Sequence, residues 1–542
     1  MMFFNRKGAC FWVKRSVVAA AVLILVLLSI WAAVKDVRAA IQIARPPSFL
    51  DPAKISTFEE KLVCGALYET LLSYDAASGC SKGALAEKWK VDTAGRVYTF
   101  SLRKGARFHN GKAVTAKDVK YSWERVLDPK TSSYGYLLRN VQGSEDFVKA
   151  KSCQVQGLKV INDHTLQVVL QEPDYTFPAV VSSPVLGVVN RDLVSKQGDD
   201  YGKVGTPVAG TGPFSLTSWT NKKITLSKNK RYIKGAPRLG GLDFLITNRQ
   251  SEIKRLVQEG KVDILAGVTP QWANTYSQGE GKDKVVLVKK PVLALYFLGF
   301  NLNQTPFGDQ VELRRGVNSM LNKEKMAMFL LGEGCKPLDG FLPSELLSSR
   351  IKTLEKHVPD REAALTSLAS AGYPYGSRLQ PLTLAYNDST GHELLARLVQ
   401  EELGQVGIAI ELKKSPWQEY KDNLLSGHYP FFRLGWEADY PEPGNLLSCN
   451  FESREKQNHN LTGYSNEKFD SLLKAARGEP DFMRRQEIYR QAEDLIISDL
   501  PVIPLFQRVA VIVIQKEIKG FQVDLLGTID FSCLDKVPKS QN

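Results

Sequence analysis

Apolar and polar positions follow the clearest pattern between residues 382 and 436. Leu382-Thr383-Leu384-Ala385-Tyr386 has the every-other-residue spacing of a strand, and Asn387-Asp388-Ser389-Thr390 supplies the side-chain oxygens that start helices. Glu393–Val406 then carries Leu394, Leu395, Leu398, Val399 and Leu403 on one stripe at helical spacing, closed by Gly407. Ile408–Leu412 predicts a second strand, Trp417–Ser426 a second helix closed by Gly427, and Phe431–Trp436 a third strand. Pro441 and Pro443 cannot donate to a ladder, so that strand ends before them. Strand, helix, strand, helix, strand predicts a parallel sheet with crossover connections, whose ligands sit beyond the carboxyl ends of the strands. His392 follows the first strand and Asp439 the third, which places both at one edge.

The earlier chain mixes the two periods. Phe58–Leu72 has a helical stripe, Val97–Leu102 and Asp163–Leu170 alternate as strands, and Asn110-Gly111 is a tight-turn signal. Thr115-Ala116-Lys117-Asp118 starts a helix towards Leu127 in capping-box style. These elements predict a compact α+β unit inserted between Leu72 and about Gly205. Further strands are expected at Phe214–Leu216, Ile224–Leu226, Leu242–Ile246, Val262–Leu265, Val285–Val288 and Leu293–Asn301, with helices at Glu252–Gly260, Asp309–Asn322 and Lys323–Leu331.

Composition narrows the class. A chain of 542 residues exceeds what one core organises, and 43% hydrophobic with 24% charged residues is ordinary for a globular protein. The net charge is +13, but the first 39 residues hold six of the basic residues and one of the acidic; the remainder carries 65 against 57, a net +8. No basic block stands out, so nucleic acid is not an expected partner. Arg6, Lys7, Lys14 and Arg15 precede an apolar run, Val17–Val34, broken only by Ser29, and Val37-Arg38-Ala39 offers a small-residue cleavage pattern before Ala40. This order predicts export, by a cleaved signal or by an anchor just long enough to span a bilayer. Six cysteines follow Ala40 without a CxxC, and the six histidines form no metal motif, so neither metal nor cofactor is expected.

Two stretches are candidates for chemistry. Asp439 leaves a strand end between Trp436 and Tyr440, where a carboxylate either receives an ammonium group in a partly dry pocket or stands as a solvated loop acid. Gly79-Cys80-Ser81-Lys82-Gly83 matches the G-x-S-x-G nucleophile elbow, which would make the chain a secreted serine hydrolase if a strand entered and a helix left that turn.

Three blocks carry a resemblance. Leu85-Ala86-Glu87-Lys88-Trp89, then Tyr98 to Gly105, then Asn110-Gly111-Lys112-Ala113-Val114-Thr115-Ala116-Lys117-Asp118-Val119 closely resemble the signature of the family 5 extracytoplasmic solute-binding proteins. Gly210-Thr211-Gly212-Pro213-Phe214 and Pro306-Phe307-Gly308-Asp309 look like further markers. The likeness covers roughly Leu50 to Phe521, and Gly435 to Pro443 looks most like the periplasmic oligopeptide-binding proteins of ABC importers.

The resemblance implies an α/β, two-lobed periplasmic-binding-protein fold with an additional α+β subdomain inserted in the first lobe. Residues 1–39 are then the signal or anchor; 40–71, 205–290 and 509–542 the first lobe; 72–204 the insert; and 291–508 the second lobe. It implies a binding protein, not an enzyme, that delivers oligopeptides to the permease subunits of an inner-membrane ABC importer and works as a monomer. Dipeptides, muropeptides, metal chelates and haem are the alternative ligands for the same fold. By residue, Asp439 would hold the ligand ammonium, Gly435 and Glu437 would pair with its main chain, Trp417 and Trp436 would line pockets, and His392 and Arg433 would approach its carboxylate. Two departures stand out. The family can join the positions of Glu437 and Ala294 by a disulfide, and here neither is cysteine, so Glu437 adds a negative charge expected to favour basic side chains. A basic residue expected near Leu424 is also missing.

Overall fold

The computed structural model describes residues 37–75, 78–331, 334–347, 354–455 and 459–537. The charged and apolar segment before Val37, where export was read, lies outside them. In chain order the strands begin with β1 (Arg38–Ile43), followed by helix α1 (Phe58–Leu67) and a hairpin of β2 (Leu72–Asp75) and β3 (Cys80–Gly83). The insert supplies β4 (Ala86–Val91), β5 (Val97–Leu102), α2 (Ala116–Leu127), β6 (Leu158–Asn162) and β7 (Thr165–Val169). The chain returns through β8 (Phe214–Trp219), β9 (Lys223–Lys228), β10 (Gly241–Ile246) and β11 (Ile264–Leu265) to the long β12 (Val285–Phe300). The second half holds β13 (Cys335–Pro337), β14 (Leu382–Asn387), α3 (Thr390–Gly404), β15 (Ile410–Ser415), α4 (Trp417–Leu425) and β16 (Phe431–Glu437). Three helices, α5 (Pro443–Phe451), α6 (Glu467–Gly478) and α7 (Phe482–Asp499), precede the long β17 (Val502–Gln515).

Eleven strands form one sheet in the order β15-β14-β16-β12-β17-β11-β1-β10-β9-β8, with β13 added beside β17. The sheet is common to both lobes, because β12 and β17 run through them as an antiparallel pair. Their register holds from Val285↔Gln515 to Pro291↔Val509, then shifts before Leu295↔Gln507. The insert is a separate four-stranded antiparallel sheet, β4-β5-β7-β6, and α2 starts as its sequence predicts, with Asp118 accepting from Thr115 N and Oγ1.

In the second lobe β14 pairs with β15 and β16 in parallel, as the periodicity predicts, while β16 turns its other edge to β12 antiparallel. Gly407 and Gly427, at φ +83° and +68°, end α3 and α4 in the left-handed region that other residues avoid. Phe431 packs on one face of the sheet with Phe300, their rings 5.1 Å apart, and Phe432 joins the core on the opposite face. Both faces are therefore covered, which is why the strand reads as a nearly unbroken apolar run.

β1 carries an unexpected finding. It is an interior strand, parallel to β10 and β11, and it begins two residues before the cleavage point read from the sequence. Ala39 is fully buried, and Arg38 donates to Asp243 Oδ1 at 2.7 Å and to the carbonyls of Leu226 and Leu242. The amide of Ala40 donates to Asp263 at 2.9 Å, so a new terminus there would recover part of the loss. A chain beginning at Ala40 is expected to be less stable than one beginning at Val37 by about 1–3 kcal/mol. Urea denaturation of the two chains measures the difference; equal midpoints with equal slopes would show that Arg38 and Ala39 add nothing to the fold.

Candidate functional site

The site is built along β16. Two contacts fix which way its backbone faces: Ala438 N donates to Leu293 O at 2.7 Å on the β12 side, and Tyr420 of α4 donates its hydroxyl to Arg433 O on the other. Peptide groups alternate along a strand, so Arg433, Gly435 and Glu437 turn theirs away from β12. β14 covers that outer edge only at Phe431 and Phe432. From Gly435 to Glu437 no strand among the described residues pairs with it.

At the far end of this open edge stands Asp439. Its amide donates to Asn445 Oδ1 at 2.9 Å, and its carboxylate accepts from Asn445 Nδ2 at 3.4 Å and from the hydroxyl of Tyr136. Asn445 lies in the first turn of α5, which Pro443 opens: the proline that stops the strand also starts a helix. Tyr136 comes from the insert, so the carboxylate is bonded from both lobes. Burial raises the Asp439 pKa, against the opposing pull of these two hydrogen bonds and of Lys61. Beside it, the rings of Tyr136 and Trp436 stand 4.8 and 5.1 Å from His459 in edge-on contacts.

Glu437 is not an unopposed acid. Lys61 Nζ of α1 lies 3.4 Å from one carboxylate oxygen, and Arg508 Nη1 of β17 lies 3.2 Å from the other. Burial works to raise its pKa, but these two cations hold it below the ordinary value. Ala294 sits directly across the ladder from Glu437, so a salt-bridge hub occupies the pair of positions that the family can join by a disulfide and that hold no cysteine here. The six cysteines after Ala40 are all free thiols. Lys61, Tyr134, Glu437 and Asp439 line one cavity of about 240 Å3 between the lobes, and Leu526 and Pro184 separate it from a larger one of about 660 Å3 further along α1.

Arg433 and His392 form a second group. The Arg433 guanidinium lies 4.4 Å from the Tyr296 ring centroid and donates to Asn387 Oδ1 at 3.4 Å, while its buried Nε has no acceptor among the described residues. His392 stands 6.4 Å from the same ring and is held to the Asn387 carbonyl through Nδ1 at 3.4 Å. Trp417 is half exposed at the start of α4, against Tyr420, and does not line the cavity beside Asp439. Ser81 lies within β3, opposite Tyr74 in the hairpin, so no strand-to-helix elbow presents it. Lys61, Arg508, Tyr136 and His459 were not singled out from the sequence, because they reach the site from elements remote in the chain.

The model of the bacterial extracellular solute-binding proteins, family 5 middle, matches residues 81–458. The chain belongs to this family. It is 28% identical over 465 residues to the dipeptide-binding protein DppE of Bacillus subtilis, covering 84% of this chain and 83% of that one. It is 27% identical over 532 residues to the periplasmic oligopeptide-binding protein OppA of Salmonella typhimurium, covering 94% and 96%. The solved murein tripeptide binding protein MppA of Escherichia coli superposes with a TM-score of 0.76 at 25% identity, over 93% of this chain and 99% of that one. The family therefore supplies the two-lobed architecture and the solute-binding role, and no helix among the described residues is long and apolar enough to cross a membrane.

The electrostatics of the second group yield a test. His392 is pushed down to about 4, first by burial and then by the Arg433 charge. Replacing Arg433 with Met leaves the burial and removes the charge, so the His392 titration should move up part of the way towards 6.5. The neutral imidazole is the folded form, so its contribution to stability is present above the unfolded value and is lost as pH falls towards 4. A side-chain NMR titration reads this directly; an unchanged midpoint in the variant would separate the two groups.

Proposed function

We propose that this protein captures peptides in the cleft between its lobes and delivers them to the permease subunits of an ABC importer. The observation that carries the reading is the open edge of β16 from Gly435 to Glu437, with a carboxylate at one end and a buried cation at the other. An extended ligand adds to such an edge as a further strand, through backbone hydrogen bonds that do not depend on side chains. Asp439 receives the ligand ammonium, and Gly435 and Glu437 offer their outward peptide groups. Arg433, four residues before Glu437 and so roughly 13 Å away at about 3.3 Å per residue, meets a carboxylate only on ligands of suitable length. The Arg433 side chain has no carboxylate partner among the described residues, which supports that role, with His392 beside it. Trp436 lines the ammonium end, and Trp417 stays at the rim. The protein binds and releases without chemistry and acts as a monomer.

Three of the similar proteins support the same reading: one is named for dipeptides, one for oligopeptides and one for a murein tripeptide. The charged and apolar N-terminal segment supports export to the periplasm. The burial of Ala39 and the ion pair of Arg38 favour a mature chain that keeps both, over one that starts at Ala40.

Asp439→Asn separates binding from folding. Burial disfavours the charged carboxylate in the free protein, so the substitution should leave stability unchanged or slightly raised. Peptide affinity should fall by about 3 kcal/mol, since the ligand ammonium is left without its counter-charge. Acetylating the peptide N-terminus should cost the wild type a similar amount and the Asn protein little, a coupling read from four calorimetric affinities. Affinity should also drop on acidification at a higher pH than for an ordinary aspartate, because the Asp439 pKa is raised. A coupling energy near zero would remove Asp439 from the binding site.

A further inference from the structure

The cavity that holds an ammonium group on Asp439 must also hold what is bonded to the carbon beside it. On a peptide this is the first side chain, so the charges around that cavity decide which first residues enter. The Lys61 side chain is 16% exposed and that of Arg508 31%, and both are committed to Glu437, at 3.4 and 3.2 Å. Lys61 Nζ also reaches the Leu526 carbonyl at 3.5 Å, which fixes its position over the cavity. Asp524 also lies near Lys61; the amides of Leu526 and Thr528 and the Thr528 hydroxyl bond its carboxylate without cancelling its charge, but it lines the larger cavity and not this one. Once a ligand ammonium is paired with Asp439, Glu437 is the carboxylate left on this cavity among the described residues, and with Lys61 and Arg508 both paired to it the charge immediately around it is positive by one.

We propose that Lys61 is a specificity-determining residue: together with Arg508 it over-compensates Glu437, so that the cleft accepts acidic and uncharged first side chains and disfavours basic ones. This rests on the peptide-binding reading above and reverses the preference that Glu437 alone would set. A basic side chain would bring a third cation to Glu437, whereas an acidic one would find Lys61 already within the cavity. The charges act at short range in a partly dry cleft, where one unbalanced charge is worth on the order of tenfold in affinity.

The test uses calorimetry on the purified protein with alanine tri-, tetra- and pentapeptides whose first residue is Glu, Ala or Lys. In the wild type, the Lys-first peptides should bind about tenfold more weakly than the Ala-first ones, and the Glu-first ones at least as tightly. Lys61→Met keeps the apolar stem and removes the charge; it should bring Lys-first and Ala-first peptides to within about twofold and weaken the Glu-first ones. Glu437→Gln should act in the opposite sense and widen the gap between Lys-first and Ala-first. Equal affinities across the wild-type series, or a gap that Lys61→Met leaves untouched, would overturn the role of Lys61 while leaving the peptide reading intact. No binding by any peptide in the series would overturn both.

Discussion

The antiparallel ladder of β12 against β17 is the constraint on which the rest of the molecule depends. The two strands are 16 and 14 residues long and connect the halves of one sheet. Each half uses a different stretch of them: β11 pairs with the far end of β17, and β16 pairs with the near end of β12. Every other element is placed relative to this ladder, including β16 and with it the site. The ladder is interrupted twice, between Pro291 and Leu295 and again between Tyr296 and Phe297. Pro291 has no amide to give, and the first interruption leaves Val292, Leu293 and Ala294 without a partner in β17. Two strands give a continuous mechanical link, and the first interruption is where the two strands hold each other least.

What the sequence made legible was local. The second lobe's β14-α3-β15-α4-β16 follows from apolar periods of two and 3.6 and from glycines whose backbone only they tolerate, at Gly407 and Gly427. The start of α2 was legible for the same reason, since Thr115 and Asp118 complete their bonds within one turn. The pairing of β12 with β17 was not legible, because some 200 residues separate them and neither strand names its partner. The elbow pattern around Ser81 shows the converse: five residues of the right type sit in a hairpin, because pattern alone does not state which element enters and which leaves. Asp439 and Arg433 were visible because they belong to β16 and its end. Lys61 and Tyr136 were invisible because their relevance arises only when the lobes meet.

That difference changes the chemistry read from the site. From the sequence, Glu437 is a carboxylate beside a tryptophan, free to attract a cation. In the fold it is the shared partner of Lys61 from the first lobe and Arg508 from the long strand β17. A charge in a partly buried cleft costs desolvation energy whether or not a ligand is present, so it persists only with a partner. Glu437 has two, and its carboxylate stays ionised. Asp439 has only neutral donors, Tyr136 and Asn445, and burial still works against its charge. The two acids are two residues apart and in opposite conditions: one is fully compensated, the other is short of a cation.

This asymmetry explains how a site can be permissive along its length and selective at one end. The backbone pairing proposed for a ligand along Gly435 to Glu437 is indifferent to side chains, so it would not discriminate among ligands of the same length. Discrimination has to come from fixed charges whose balance is incomplete. Where the protein has already balanced a charge, as at Glu437, an incoming group gains little and an extra cation loses. Where it has left a carboxylate with hydrogen bonds but no counter-charge, as at Asp439, a cation gains the most, because it removes a cost that the free protein carries. On the proposed reading the open strand edge supplies general affinity, and the uncompensated Asp439 at its end sets the register in which that affinity is used.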